Sequence, residues 1–452
     1  MIYCSTMSPF RLGIGFVCLI SGLAAQEPVS YARQIQPLLR RHCIGCHQPQ
    51  SKQADLLLTS HAEFQKGGRK GAGFLPGKPD ESLVIQYVAG KIEPRMPFGG
   101  KPLAEEEIEL FRRWIREGAR NDGGAAVETA AELKPVAYAT APPVTTFTFA
   151  PNGKSMAVAG YREILLVDAE GNLQARLPGL SKRLHSLSFT PDGKTLVAVG
   201  GDPARFGEVQ IWDVEARRQK HSVVVGNDTL FGGALSPDGK LLACGSPDKS
   251  IRIFDVATGK EIRRMDHHED WVMGTVWGVD GKRLVSVGRD RAAKVSEVST
   301  GRFIENVNLL RDSLTAVARH PKRDWIAIGG AERIPYLYRM DRPRAMRIAD
   351  DSTLIRKFEK QDGPILAMAV SPDGTRVAVA GEIGPVRIYD AETGDLKASC
   401  TGHEGGAYAV EFSPDGTLLA VGGYDGTMRL YEAGGKLARA FVAAPITAAK
   451  RD

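Results

Sequence analysis

From residue 143 to residue 441 apolar and polar positions alternate in short runs, and the runs return at regular intervals. Leu187-Ser188-Phe189, Ala367-Met368-Ala369-Val370 and Val410-Glu411-Phe412 each lead into a turn signal, and Leu196-Val197-Ala198-Val199 and Leu418-Leu419-Ala420-Val421 each follow one. A period of two puts successive side chains on opposite faces, so these runs predict strands. The turn signals are Pro151-Asn152-Gly153, Pro191-Asp192-Gly193, Pro237-Asp238-Gly239, Val279-Asp280-Gly281, Pro372-Asp373-Gly374 and Pro414-Asp415-Gly416, with a degenerate seventh at Pro321-Lys322-Arg323-Asp324. Asn-Gly and Asp-Gly tolerate the positive φ of a tight reversal, so each marks where one strand turns into the next. A third strand ends on an aromatic and acidic pair at Trp212-Asp213, Phe254-Asp255, Tyr389-Asp390 and Tyr431-Glu432, weakened to Val167-Asp168 and Ser296-Glu297. Units of roughly 40 to 50 residues with this texture predict four-stranded propeller blades. Seven such units predict an all-β seven-bladed propeller over residues 135–445, its ring closing with either Pro135 to Tyr138 or Leu437 to Val442.

Ahead of the repeats the period changes. Ile35, Leu38 and Leu39 form an i, i+3, i+4 stripe within Tyr31 to His42, and Ile108, Phe111 and Ile115 do the same within Glu105 to Arg116, widened by Leu110 and Trp114. Glu105, Glu106 and Glu107 fall in the first turn of the second stripe and Arg112, Arg113 and Arg116 later, the order a helix dipole favours, with Gly118 as the stop. A third short helix is expected from Asp80 through Leu83, Ile85 and Val88 towards Gly90. The chain is therefore expected to be multidomain, with a small all-α unit over residues 27–120 and a linker of small and polar residues over 121–134. At the start, Arg11, the apolar Leu12 to Ile20 and the small residues Ser21-Gly22-Leu23-Ala24-Ala25 have the layout of a secretory signal peptide, residues 1–25. That stretch is too short to span a bilayer comfortably, so no transmembrane segment is expected in the mature chain; an uncleaved anchor is the alternative.

Composition adds limits. The 452 residues exceed one ordinary core, and 25% charged with 43% hydrophobic residues are the proportions of a soluble globular protein. A net charge of +6 without a run of Lys and Arg gives no support to a nucleic-acid partner. Of six cysteines, Cys4 and Cys18 leave with the leader, and Cys244 and Cys400 sit about three repeats apart, too far around a ring for the Cα separation of under ~7 Å that a disulfide needs. They are expected to be free, packed thiols.

Cys43-Ile44-Gly45-Cys46-His47 carries the chemistry. Two thiols three residues apart on one helical turn can add to the two vinyl groups of a haem, and the adjacent His then points at the iron. A thioredoxin-like pair needs a βαβ setting that these flanks lack, a closed zinc site needs a second ligand pair that does not follow, and a chance match leaves the export signal unused. One haem c per chain is expected, bound through Cys43 and Cys46, with His47 as proximal ligand. For the other face the candidates are Met96, His61 and His42, or none; Met96 lies beside Pro97 in a loop before the last helix, whereas His42 shares a helix with His47.

The stretch from Tyr31 to Asn121 resembles the planctomycete-type cytochrome c domain through Ile35-Gln36-Pro37-Leu38-Leu39, the C-x-x-C-H motif, Leu56-Leu57-Leu58, Pro76-Gly77-Lys78-Pro79-Asp80-Glu81-Ser82-Leu83, Arg95-Met96-Pro97-Phe98-Gly99-Gly100 and Trp114-Ile115-Arg116-Glu117-Gly118-Ala119. The resemblance implies a helical cytochrome whose first and last helices cross over one haem edge, with Met96 as distal ligand. The repeats resemble the WD-repeat family, which implies a toroid that binds partners. Only Gly402-His403 keeps that family's glycine-histidine start and only Trp212-Asp213 its literal Trp-Asp, so the buried His, Asp, hydroxyl and Trp chain is expected to fail in most blades.

These features are expected to make an exported, periplasmic or equivalent, electron-transfer protein whose propeller docks a redox partner or an enzyme. Two alternatives stand beside it: an oxidoreductase whose propeller holds substrate or a second cofactor, and an exported scaffold with a structural or sensory haem. His267, His268, Glu269 and Asp270 read as a loop leading into a blade rather than a metal site. Arg333, Arg339, Arg342, Arg344 and Arg347 are either a receptor for an acidic partner or a solvated loop. No catalytic residue is assigned. The donor and acceptor of electrons and the oligomeric state are left open.

Overall fold

The computed structural model describes residues 28–44, 46–47, 53–58, 61–121, 135–226, 228–309, 311–342 and 351–446. The expected leader, Gly45, residues 122–134 of the expected linker, and Arg344 and Arg347 lie outside the described residues. Within them, 28 strands form seven four-stranded antiparallel sheets, each made of four consecutive strands. These are blades 1 to 7, over 147–178, 183–225, 231–265, 272–306, 314–357, 365–400 and 407–441. The first strands of neighbouring blades lie against one another all the way round, so they line the axis. No helix among the described residues is long and apolar enough to cross a membrane.

The reversals between first and second strands are clamped by side chains. In blade 2 the Gly193 amide donates to the Thr190 carbonyl at 2.8 Å, with Gly193 at φ +70. A Cβ there would strain the backbone. The Asp192 carboxylate accepts from the Thr190 hydroxyl at 2.6 Å and the Lys194 amide at 3.0 Å. Ser236 with Asp238 and Ser413 with Asp415 repeat the clamp. The hydroxyl in each case holds its carboxyl below the usual range. The degenerate seventh turn keeps the same shape by another route: Nδ1 of His320 accepts the amides of Lys322 and Arg323, both at 3.0 Å.

As expected, among the described residues the histidine chain fails in most blades, but where part of it forms does not follow the glycine-histidine dipeptide. His403, in the one literal glycine-histidine pair, bonds the Gly384 carbonyl through Nε2 at 3.1 Å, while Asp425 is taken by Arg429 at 2.7 Å. Blade 4, which lacks the dipeptide, builds the chain: His268 Nδ1 meets both oxygens of Asp290 at 2.9 Å and Nε2 meets the Ser286 hydroxyl at 2.7 Å. The chain stops there because Ser296 pairs with Leu284 in the register that Trp212 holds with Leu196. Cys244 and Cys400 are free, buried thiols in blades 3 and 6.

Both expected closing segments take part in the ring. Leu437–Phe441 is the outer strand of blade 7, and Tyr138 makes an isolated parallel bridge to Ile446. Val144 donates to the Gly423 carbonyl at 2.9 Å, and one apolar cluster joins Phe147, Met156 and Leu165 of blade 1 to Ala420, Met428 and Leu430 of blade 7. At other seams a Cβ added to the turn glycine would meet the proline of the neighbouring blade, Pro151 at Gly193, Pro191 at Gly239 and Pro372 at Gly416, whereas one added at Gly153 would meet nothing within 4 Å. A cleft of about 420 Å³ therefore opens between blades 7 and 1, floored by Phe149, Met156, Leu418 and Leu430.

Glu411 stands at this seam, accepting from the Thr148 hydroxyl at 3.2 Å and the Phe149 amide at 3.4 Å. Burial pushes its carboxyl up to about 8. The folded state then holds a proton that the unfolded chain has released, so the favourable contribution is complete below about pH 4.5 and is lost as pH rises to about 8. Glu411→Gln keeps the acceptor and removes the titration. Its thermal midpoint should exceed wild type by about 2–4 °C at pH 8.5 and match it at pH 4.5, read by calorimetry; a constant offset at both pH values contradicts the assignment.

Candidate functional site

The helical unit is assembled around aromatic rings. A π-helical turn, Tyr31–Ile35, runs into helix α1, Gln36–His42; α2 is His61–Lys66, α3 Leu83–Val88 and α4 Glu105–Arg116. The apolar stripes do what their spacing predicts: Ile35, Leu38 and Leu39 are buried, and so are Ile108, Phe111, Trp114 and Ile115. The Glu107 carboxylate accepts from the Ala104 amide at 3.0 Å and covers the α4 start, and Gly118 at φ +98 ends the helix. Tyr31 and Trp114 bring the first and last helical segments together, ring centroids 5.5 Å apart, with Phe64 and Phe74 closing on the same indole. Trp114, 1% exposed, contributes on the order of 2–3 kcal/mol by burial. Helix α2 has no expectation behind it: six residues with one buried side chain, Phe64, leave no periodicity to read.

The motif sits where α1 ends. The Cys43 amide donates to the Leu39 carbonyl at 2.9 Å, and the Cys46 and His47 amides both donate back to the Cys43 carbonyl at 3.2 Å. One wrap of chain thus holds both thiols and the imidazole. Cys43 is half-buried against the core, where burial pushes its thiol up to about 12, and Cys46 is exposed. His47 is buried, and burial lowers its tendency to protonate. Its Nδ1 lies 3.1 Å from the Gln53 carbonyl. A carbonyl can only accept, so Nδ1 carries the proton and Nε2 keeps a lone pair. That is the tautomer of a metal-ligating imidazole, with a backbone carbonyl fixing the ring. Sequence reading missed the Gln53 carbonyl, because any residue type could supply it.

Met96 is half-buried against the same core as Cys43, its amide donating to the Tyr87 carbonyl at 3.1 Å. The other candidates are otherwise engaged. His61 Nε2 donates to the Ala119 carbonyl at 2.8 Å, and its ring lies within 4.9–5.8 Å of Tyr31, Phe74 and Trp114. His42 is held by Glu107 at 3.3 Å. His47 and Met96 supply one nitrogen and one sulfur, so a metal held between them must bring its remaining ligands, as a porphyrin does. The residues present fit a haem attached through Cys43 and Cys46.

On the propeller, two arginines of the expected basic cluster, Arg333 and Arg342, are engaged within the fold. Arg342 is 6% exposed in its side chain and bonds Glu305 at 2.6 Å, Ser352 at 2.9 Å and the Asn306 carbonyl at 3.0 Å, stapling blade 5 to blade 4. Arg333 donates to the Asp362 carbonyl at 3.3 Å. Partnered guanidiniums offer little to an acidic visitor.

Residues 43–97 match the family profile "Planctomycete cytochrome C". "WD domain, G-beta repeat" matches 223–255, 259–295 and 394–432, and "Anaphase-promoting complex subunit 4 WD40 domain" matches 317–406. Similar curated proteins include a U3 small nucleolar RNA-associated protein 15 homolog of Xenopus laevis, 28% identical over 38% of this chain and 31% of the relative. WD repeat-containing protein VIP3 of Arabidopsis thaliana is 27% identical over 25% of this chain and 38% of the relative, and the small ribosomal subunit protein RACK1 of Caenorhabditis elegans 27% over 27% and 37%. The chain spans about a third of the length of these relatives.

If His61 is a packing residue, His61→Phe should leave the visible spectrum of the purified protein unchanged while lowering stability by about 1–3 kcal/mol, since the Ala119 carbonyl loses its donor. A changed spectrum at unchanged stability would make His61 a ligand.

Proposed function

Taking the chain as a planctomycete-type cytochrome c segment joined to a seven-bladed WD-type propeller, we propose that it is an exported electron-transfer protein whose propeller docks its partner. Cys43 and Cys46 would hold one haem c by thioether bonds, with His47 Nε2 and the Met96 sulfur binding its iron. The observation that carries this reading is the buried His47 ring, its Nδ1 proton committed to the Gln53 carbonyl at 3.1 Å, which leaves the lone pair on Nε2. A haem so ligated supplies a one-electron couple with both axial positions closed. The chain does the positioning: the Cys43 to His47 wrap places thiols and imidazole together, the Tyr87 carbonyl anchors the Met96 backbone, and Cys43 and Met96 pack against one apolar core.

The propeller's part is inferred from its class. The relatives' names speak of a nucleolar RNA-associated and a ribosomal assembly. What is taken from them is the use of such a ring as an assembly surface, while the partner proposed here is a redox protein or an enzyme. Export is inferred from the leader-like residues 1–25 and from the compartment in which haem attachment occurs.

Denaturing electrophoresis with haem staining should show covalent haem in the full chain, and spectra should be low-spin in both oxidation states. Met96→Ala should abolish the sulfur-to-iron band and let the reduced protein bind carbon monoxide. An unchanged Met96→Ala spectrum removes Met96 from the site, and absence of covalent haem in wild type overturns the whole reading.

A further inference from the structure

Blade 2 differs from its neighbours in ways that point to the helical unit. Its strands Thr195–Asp202, Phe206–Asp213 and Arg218–Val225 each have 8 residues, whereas strands elsewhere reach 6. The added length puts Glu208 opposite Val224 and Gln210 opposite Ser222. Glu208 is wholly buried; the Ser181 hydroxyl donates to it at 2.6 Å, Gln210 Nε2 at 2.8 Å, and the Ser222 hydroxyl closely. None of those donors carries charge, and a buried carboxylate without a cation is costly.

Blade 1 shows what is missing. Glu163 holds there the register place that Glu208 holds in blade 2, four residues before Val167, which pairs with Met156 as Trp212 pairs with Leu196. Glu163 is neutralised by Arg176 of the same blade, at 2.5 Å and 2.8 Å. Arg176 lies opposite Leu165 as Ser222 lies opposite Gln210. Blade 2 thus has a serine where blade 1 has the arginine. The cation comes from outside: Arg40 of helix α1, 7% exposed, donates to the Ser222 hydroxyl at 3.0 Å and the Ser222 carbonyl at 3.4 Å. Val224 packs on the core of the helical unit beside it.

We propose that blade 2 is a built receptor for the helical unit, in which Arg40 replaces the arginine that the blade lacks and latches the two units into one body through Ser222 and Glu208. The unit that bears Cys43 and His47 then travels with the propeller instead of swinging on its linker. Arg40 precedes Cys43 by three residues, about 4.5 Å of helix rise, so the latch and the thiols share one helix end. A partner docked on the ring meets the Cys43 turn at a fixed place and orientation. The inference goes beyond the haem reading, since a chain without haem carries the same contacts.

Small-angle X-ray scattering of the full chain tests it, because residues 122–134 would let a released unit move off by up to roughly 40 Å. Wild type should be compact. Arg40→Glu, which sets a second carboxylate against Glu208, should increase the maximum dimension, and adding Glu208→Lys, which returns an opposite charge across Ser222, should restore the compact profile. Ser222→Arg gives blade 2 its own cation, as Arg176 does in blade 1; it should release the helical unit while leaving the propeller's thermal midpoint within a few degrees of wild type. An Arg40→Glu chain as compact as wild type, or an open one that Glu208→Lys fails to close, overturns the proposal. Should Arg40→Glu not fold, a compact Ser222→Arg chain overturns it alone.

Discussion

A four-stranded sheet of this chain has two apolar faces and can bury them only if a sheet stands on either side. Val197 and Val199 of blade 2 pack with Leu242 and Cys244 of blade 3, and Ala157 and Ala159 of blade 1 with Leu196 and Ala198 of blade 2. The same demand runs round until blade 7 meets blade 1, where a single apolar cluster joins the two ends. At about 25 cal/mol per Å² of apolar surface, each such interface is worth far more than any one hydrogen bond in the molecule. Closure is therefore what allows the rims to vary. The cleft beside Gly153, the lengthened strands of blade 2 and the histidine-built turn at His320 are deviations that a closed ring can carry.

The helical unit cannot rely on size in the same way. Its described core is a ring cluster, Tyr31, Phe64, Phe74 and Trp114, with His61 among them as an aromatic that also satisfies the Ala119 carbonyl. Tyr31 ties the start of the first helical segment to that cluster, and the end of α1 places Cys43, Cys46 and His47 on one wrap. The Gln53 carbonyl then selects the His47 tautomer. Packing, backbone hydrogen bonding and ligand chemistry are here three consequences of one local geometry.

Between the units the balance is electrostatic. Burying Glu208 and Arg40 separately would cost several kcal/mol each, and together they offset much of that cost while the Ser222 hydroxyl relays between them. Such a pair adds little net stability against a well-packed apolar contact. What it adds is specificity, since Arg40 fits only where a blade presents a carboxylate without its own cation.

By itself the sequence determined the elements and the candidate donors. Period-two runs, Asp-Gly turns and seven repeats are local signals, because a strand's faces and a turn's φ are decided by a few adjacent residues. The C-x-x-C-H spacing is equally local, as are the Ile108, Phe111 and Ile115 stripe and its acidic start. Tertiary structure decided everything that depends on a distant partner. Whether a histidine finds its aspartate was settled by packing, for His268 and against His403, although the dipeptide pointed the other way. His61 Nε2 was given to a carbonyl 58 residues away. Arg342 became a staple and Arg40 a latch, yet in sequence each is one arginine among many, because charge burial is a property of the assembled fold.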